Sequence, residues 1–208
     1  MAELRFFYGT MGSGKSTQAL QIHHNLTRGG LPCMLITQLD RSDGVVSSRL
    51  GVSAAAVIID GTVDLQRLIY QRHLECQGLH AVICDEAQFY EPGQIDQLAR
   101  VVDDLAIEVY AFGLLTSFQG ELFPGTRRLL EVADRRMELQ VEARCWCGAR
   151  ATHNARLVNG QQVYHGDLKV VGDAGAETEA VVTYDLRCRR HWLAGKEEST
   201  QDALFDDY

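Results

Sequence analysis

Apolar residues in this chain fall in short unbroken runs, and between the runs lie stretches with helical spacing. Residues 4–8 form an apolar and aromatic run ending in a glycine-rich turn, and residues 16–28 then read as a helix stopped by Gly29-Gly30. Pro32 precedes a second buried-strand candidate over residues 33–37, and the polar stretch 38–49 reads as a long loop. Residues 57–59 are a further strand candidate, and Asp64 stands where it would cap a helix with Leu65, Leu68 and Ile69 on one face. The pattern then repeats. Residues 81–84 are an apolar run closed by Asp85-Glu86, and a helix begins near Pro92 with Ile95, Leu98, Ala99, Val102 and Leu105 as its apolar stripe. Residues 109–112 are the next strand. Strands without polar alternation, separated by helices, predict an α/β main domain: a parallel sheet covered on both faces.

The texture changes near residue 139, where Cys, Gly and Arg become frequent and Val158-Asn159-Gly160-Gln161 is a hairpin-turn signal. The expected division is therefore a main domain over 1–138, a smaller unit over 139–193 and a disordered acidic tail over 194–208. Composition narrows the function. With 46% hydrophobic and 23% charged residues among 208, the chain is ordinary for a globular protein. A net charge of −8 argues against a surface built to neutralise a nucleic-acid backbone, so a small substrate is expected. There is no apolar run of about 18 residues and no signal-peptide pattern at the start, which predicts a cytoplasmic protein without a membrane partner.

Gly9-Thr10-Met11-Gly12-Ser13-Gly14-Lys15-Ser16 matches G-x-x-x-x-G-K-[ST] in full, between a strand and a helix. Backbone amides at the helix start point at phosphates, Lys15 reaches the β and γ groups, and Ser16 is placed to hold magnesium. Such a loop needs an acidic partner at the end of a neighbouring apolar strand. Asp85-Glu86 supplies it: adjacent side chains diverge, so one can face magnesium and the other a substrate hydroxyl. These two motifs establish nucleotide binding and leave kinase, GTPase and motor ATPase open.

Of six cysteines, Cys33, Cys76 and Cys84 sit singly in apolar or amphipathic segments and read as small core residues. The other three form close pairs, Cys145-Trp146-Cys147 and Cys188-Arg189-Arg190-His191, and Cys3His is a recognised structural zinc set. The segment between the pairs becomes a loop pinned at its base.

With these residues in hand, the chain resembles the type II thymidine kinase family, its bacterial members above all, over nearly its whole length to about Trp192. The segments that carry the likeness are 9–16, Asp85-Glu86-Ala87-Gln88-Phe89, 113–125, Cys145-Trp146-Cys147-Gly148, Arg156-Leu157 and 184–191. The resemblance implies a P-loop NTPase-type (RecA-like) parallel sheet flanked by helices, with a small zinc-containing "lasso" domain. It implies an ATP-dependent kinase for the 5′-hydroxyl of thymidine and of deoxyuridine. Glu86 would be the general base, Asp85 the magnesium carboxylate, and Lys15 and Arg41 phosphate-side cations. Nucleotide contacts fall to residues 9–16 and to Asp85, Glu86, Ala87 and Gln88. Thymine would lie in a slot of Met11, Phe89, Leu114, Phe118 and Phe123, closed by Lys169, Val170, Val171, Gly172 and Tyr184. A homotetramer and feedback inhibition by dTTP are also implied.

Two positions depart from the family pattern. The stretch 173–183 before Tyr184 is longer than usual, and Leu115 stands where a polar residue is common. From another function class, a nucleic-acid-dependent ATPase would use Arg187, Arg189 and Arg190 as a basic grip, against the acidic balance of the chain.

Overall fold

The computed structural model describes residues 1–38, 45–47, 51, 53–139, 142–168 and 181–195. The chain divides into two compact units: Met1–Leu115 with Leu122–Val141, and Thr116–Glu121 with the residues from Glu142 on.

The larger unit is built on a six-stranded sheet. Its strands are β1 (Leu4–Gly9), β2 (Cys33–Thr37), β5 (Val57–Ile58), β6 (Ala81–Asp85), β7 (Glu108–Leu114) and β8 (Arg135–Glu138). They lie in the order β5-β2-β6-β7-β1-β8 with every pairing parallel. Successive side chains of a strand point to opposite faces. On β6, Val82 and Cys84 enter one core cluster and Ile83 the other, all fully buried. On β7, Val109 and Ala111 face the first cluster and Phe112 the second. Burial on both faces is why these strands read as unbroken apolar runs.

Helices cover both faces. Helix α1 (Lys15–Arg28) sends Ala19 and Leu20 against Phe7, Leu35, Ile83 and Phe112. Helices α2 (Leu65–Glu75), α3 (Pro92–Leu105) and α4 (Pro124–Val132) send Ile69, Ile95, Leu98 and Leu129 into the opposite cluster with Phe6, Ile36 and Val82. Their starts follow local chemistry. Asp64 Oδ1 accepts the Arg67 N–H at 3.0 Å, and Glu91 with Gln94 forms a capping box ahead of Pro92.

The polar stretch after β2 corrects the reading of an uninterrupted loop. A short antiparallel pair forms there, β3 (Val45–Ser47) with β4 (Ser53–Ala55), and Val46 is buried among Phe7, Ala19 and Leu20. Val46, with Ala54 of β4 packed against the same cluster, ties to the core a hairpin that composition did not announce.

The smaller unit holds a three-stranded antiparallel sheet, β9 (His153–Val158), β10 (Gln161–Val163) and β11 (Val182–Arg187), in the order β10-β9-β11, followed by α5 (Arg189–Ala194). The β9–β10 turn places Asn159 and Gly160 at φ 51° and 85°, the twist a two-residue hairpin needs. Segment 116–121 is gripped within this unit: Asn154 donates to the Thr116 carbonyl at 3.3 Å and Trp192 Nε1 to the Phe118 carbonyl at 3.2 Å. Among the described residues, no helix is long and apolar enough to cross a membrane.

Candidate active site

The glycine-rich loop leaves β1 at Gly9 and enters α1 at Lys15. Gly9 tolerates no side chain, because a Cβ there would lie 2.5 Å from Ser13 Oγ and 3.1 Å from the Leu139 carbonyl. Gly14 turns the chain at φ 80° so that the first amides of α1 open into the loop. Lys15 is buried, its Nζ 2.6 Å from the Thr10 carbonyl and 3.3 Å from Ser13 Oγ.

Asp85 ends β6, beside Thr37 of β2, and its carboxylate is hydrogen-bonded by the Ser16 hydroxyl. The two side chains that sequence assigns to magnesium thus meet, one from each motif. Asp85 is only 4% exposed, and burial, reinforced by the negative charge of Glu86, raises its pKa to about 6. Ser16 and Lys15 pull the other way and do not cancel the burial. A carboxylate short of compensating positive charge is the donor expected where a divalent cation is to be held, so the hydroxyl–carboxylate pair fits magnesium.

Glu86 follows in the left-handed region, at φ 53° and ψ 34°. Its amide donates to Asp85 Oδ1 at 3.0 Å, and the chain winds into a 3-10 turn, Ala87–Phe89. Gln88, fully buried, donates from Nε2 to Glu86 Oε2 at 2.5 Å and accepts the Leu114 N–H on Oε1 at 3.0 Å. Beyond the turn, Phe89 meets Phe123 edge to face with centroids 5.3 Å apart, and Thr126 Oγ1 donates to the Leu114 carbonyl at 2.7 Å. Glu86, Gln88, Phe89, Leu114 and Phe123 are thus joined within the larger unit. Met11 lies half-buried in the phosphate loop.

In the smaller unit, Cys145, Cys147, Cys188 and His191 place their ligand atoms within 4.8 Å of one another. Cys145 Sγ and Cys188 Sγ lie 3.3 and 3.5 Å from His191 Nδ1, and Cys147 Sγ lies 3.9 Å from Cys188 Sγ. Zinc with bonds near 2.3 Å to sulfur and 2.0–2.1 Å to nitrogen sets tetrahedral edges of about 3.8 Å for S···S and 3.5 Å for S···N. The four residues therefore fit a closed structural zinc shell. Cys188 stands at the N-cap position of α5, where the nearby His191 backbone amide lowers its thiol pKa toward the thiolate that a metal requires. Burial raises Cys145. Trp146, between the first two cysteines, stacks on the His191 ring at 3.9 Å and 17°, a contact that residue spacing did not signal.

A thymidine kinase family model matches residues 2–192. The chain belongs to the thymidine kinase family. Thymidine kinase from Streptomyces coelicolor is 53% identical over 192 residues, covering 92% of this chain and 88% of that protein. Thymidine kinase from Cutibacterium acnes is 49% identical over 196 residues, covering 94% and 90%. Among solved structures, Pif1 helicase from Candida albicans matches with a TM-score of 0.42 and 14% identity over 67% of this chain and 36% of that one, too slight a likeness to bear on function.

As a thymidine kinase family member the chain distributes its expected site residues over both units. Phe118 lies in segment 116–121, 4% exposed, with the Arg156 guanidinium 5.1 Å from its ring centroid. Tyr184 is on β11, 42% exposed and paired with Arg156 of β9. Leu115, half-buried just past β7, is given no role by anything in the structure. Arg41, Lys169, Val170, Val171 and Gly172 lie outside the described residues, as do most of the tail and the long stretch before Tyr184. Arg187, expected in a basic surface cluster, is 1% exposed and bound to Asp185 Oδ2 at 3.0 Å and Gln162 Oε1 at 2.6 Å. It is a buried tie, not a surface grip.

Proposed function

We propose that this protein transfers the γ-phosphoryl group of ATP to the 5′-hydroxyl of thymidine, and of deoxyuridine, yielding the nucleoside 5′-monophosphate and ADP. The observation that carries the reading is the pairing of two carboxylates at the end of β6, Asp85 turned to Ser16 of the phosphate loop and Glu86 turned away to Gln88. Membership of the thymidine kinase family supplies the substrate.

In this reading the amides of residues 9–16 and Lys15 cradle the phosphates, with Ala87 and Gln88 completing the nucleotide-side wall and Arg41 adding a second cation. Ser16 and Asp85 would hold magnesium, which would supply positive charge to offset that developing on the transferring phosphoryl group. Met11, Phe89, Leu114 and Phe123 offer apolar surface to the base; Phe118, residues 169–172 and Tyr184 are assigned to the nucleoside by family resemblance alone. The 5′-oxygen attacks the γ-phosphorus and its proton passes to Glu86, while the bond to the β–γ bridging oxygen breaks and ADP leaves. Cys145, Cys147, Cys188 and His191 hold structural zinc. Resemblance extends the reading to a cytoplasmic homotetramer inhibited by dTTP.

The test is a magnesium series on two variants. Glu86→Gln keeps size but cannot accept the proton, and turnover is expected to fall roughly 10²- to 10⁴-fold at every magnesium concentration. Asp85→Asn is expected to recover in part as magnesium rises. Near-normal turnover of Glu86→Gln, or ATP hydrolysis stimulated by single-stranded DNA without nucleoside monophosphate, would overturn the reading.

A further inference from the structure

The position of Glu86 is not secured by its own backbone. A non-glycine residue at φ 53° sits in a sparsely populated region, and a surrounding structure has to hold it there. Its amide is held by Asp85 Oδ1 and its carbonyl by the Phe89 N–H, and its side chain is held by Gln88.

The direction of that hold follows from hydrogen-bond chemistry. The Leu114 amide is only a donor, so the Gln88 atom 3.0 Å from it must be the carbonyl oxygen Oε1. The –NH2 group is then turned to Glu86 Oε2, 2.5 Å away, and can only donate. Flipping the amide would set two donors against each other at Leu114 and two acceptors against each other at Glu86.

The space around the amide is reserved as well. A Cβ on Gly113 would lie 3.0 Å from both Gln88 N and Gln88 Oε1, so the absence of a side chain on β7 leaves room for the carboxamide. A Cβ on Gly125 would come within 2.6 Å of the Ala87 and Tyr90 carbonyls and 3.0 Å of that of Gln88, which seats α4 tightly on the 3-10 turn. Gln88 is 0% exposed, and its hydrogen bonds close a circuit from the end of β7 to the carboxylate.

We propose that Gln88 is a positioning residue for the reaction: it fixes the Glu86 carboxylate by holding Oε2, so that Oε1 is presented to the 5′-hydroxyl, and it ties that carboxylate to Leu114 on the base-binding side. The inference rests on the reading of Glu86 as general base. It gives Gln88 a duty separate from any contact with nucleotide, and it predicts that the loss of turnover on changing Gln88 runs through Glu86.

A double-mutant cycle on the full-length enzyme tests this. Gln88→Glu is isosteric and keeps an acceptor for the Leu114 N–H, but sets a second carboxyl against Glu86, so that the two share one proton and Glu86 is no longer free to accept another. Gln88→Met keeps length and volume and removes both hydrogen bonds, which covers the case in which Gln88→Glu does not fold. Each is expected to lower kcat about 10- to 100-fold, the range a displaced catalytic group produces, a larger factor than any change in KM for ATP or thymidine. In the Glu86→Gln background neither should lower the residual kcat further. Near-normal kcat in a folded Gln88→Glu or Gln88→Met protein overturns the inference; so does a loss of equal factor in the Glu86→Gln background, which would mark Gln88 as a packing residue. If Glu86→Gln itself turns over normally, the base reading falls first. The four corners of the cycle therefore separate the two failures.

Discussion

The two units solve the problem of staying folded by different means. The larger buries aliphatic and aromatic side chains on both faces of its sheet, with Phe6, Ile36, Ile83, Ile95, Leu98 and Phe112 fully enclosed. In the smaller, the described buried apolar residues are Phe118, Cys145, Ala151, Ala155 and Trp192, joined by buried Ser117, Asn154, Arg156 and Arg187. Small residues and polar groups bury little apolar area, so that unit leans on directed ties. Trp192 illustrates this, reaching the Phe118 carbonyl with its indole N–H, and its own carbonyl accepts from Gln162 Nε2 at 3.0 Å and from the Tyr164 hydroxyl. A core of the first kind degrades gradually under substitution, whereas a network with a metal at one end depends on each member.

The largest expected effect breaks the contrast outright. Removing zinc by chelation, or replacing Cys188 by Ser, should abolish hydrogen-exchange protection in β9 to β11 and leave β6 and β7 protected. Structural zinc contributes roughly 10–16 kcal/mol in small zinc-folded peptides, more than so slight a core can replace. Elemental analysis and exchange mass spectrometry check it, and a zinc-free protein with intact protection in the small unit refutes it. The converse comes next. Ile95→Ala should destabilise the larger unit by about 2–5 kcal/mol, the usual cost of a cavity, without loss of bound zinc. Chemical denaturation followed with zinc release reads both.

A third prediction sharpens the comparison inside the larger unit, at the buried carboxylate of Asp85. Its folded pKa of about 6 stands above the value of 3.8 for a free side chain, so the native state binds the extra proton between those values. Stability is therefore fullest below pH 4 as far as this group is concerned, and is lost as pH rises through about 6, by on the order of 2–3 kcal/mol. In magnesium-free protein that keeps its zinc, the melting temperature of Asp85→Asn relative to wild type should rise across that window. Magnesium at neutral pH should stabilise wild type and not the variant. The smallest effect is local: Asp64→Ala removes the cap on α2 and should cost about 1 kcal/mol, measured by denaturation, with turnover untouched.

What could be read from sequence follows the same divide. β6 and β7 were legible because burial on both faces leaves apolar runs, and the phosphate loop because its chemistry requires particular residues at particular spacings. The metal tetrad was legible for the second reason. β8 was not: Arg135-Arg136-Met137-Glu138 is largely exposed, and its strand conformation comes from pairing with β1 alone. Segment 116–121 carries no local mark of belonging with the smaller unit. Nor could Gln88 announce its hold on Glu86, since its other partner, the Leu114 amide, lies 26 residues further on. Contacts of that separation leave no periodicity behind.

The placement of β1 bears on how the protein is made. Leu4 pairs with Val109 and Arg5 with Arg135, so β1 has no neighbour in the sheet until β7 has been synthesised. The phosphate loop hangs from the end of that strand. A nascent chain can assemble β2 beside β6 before this, but the strand that carries the glycine-rich loop joins the sheet only once β7 arrives. Synthesis that stalls earlier yields a polypeptide carrying the complete nucleotide-binding motif in its sequence and no nucleotide site in space.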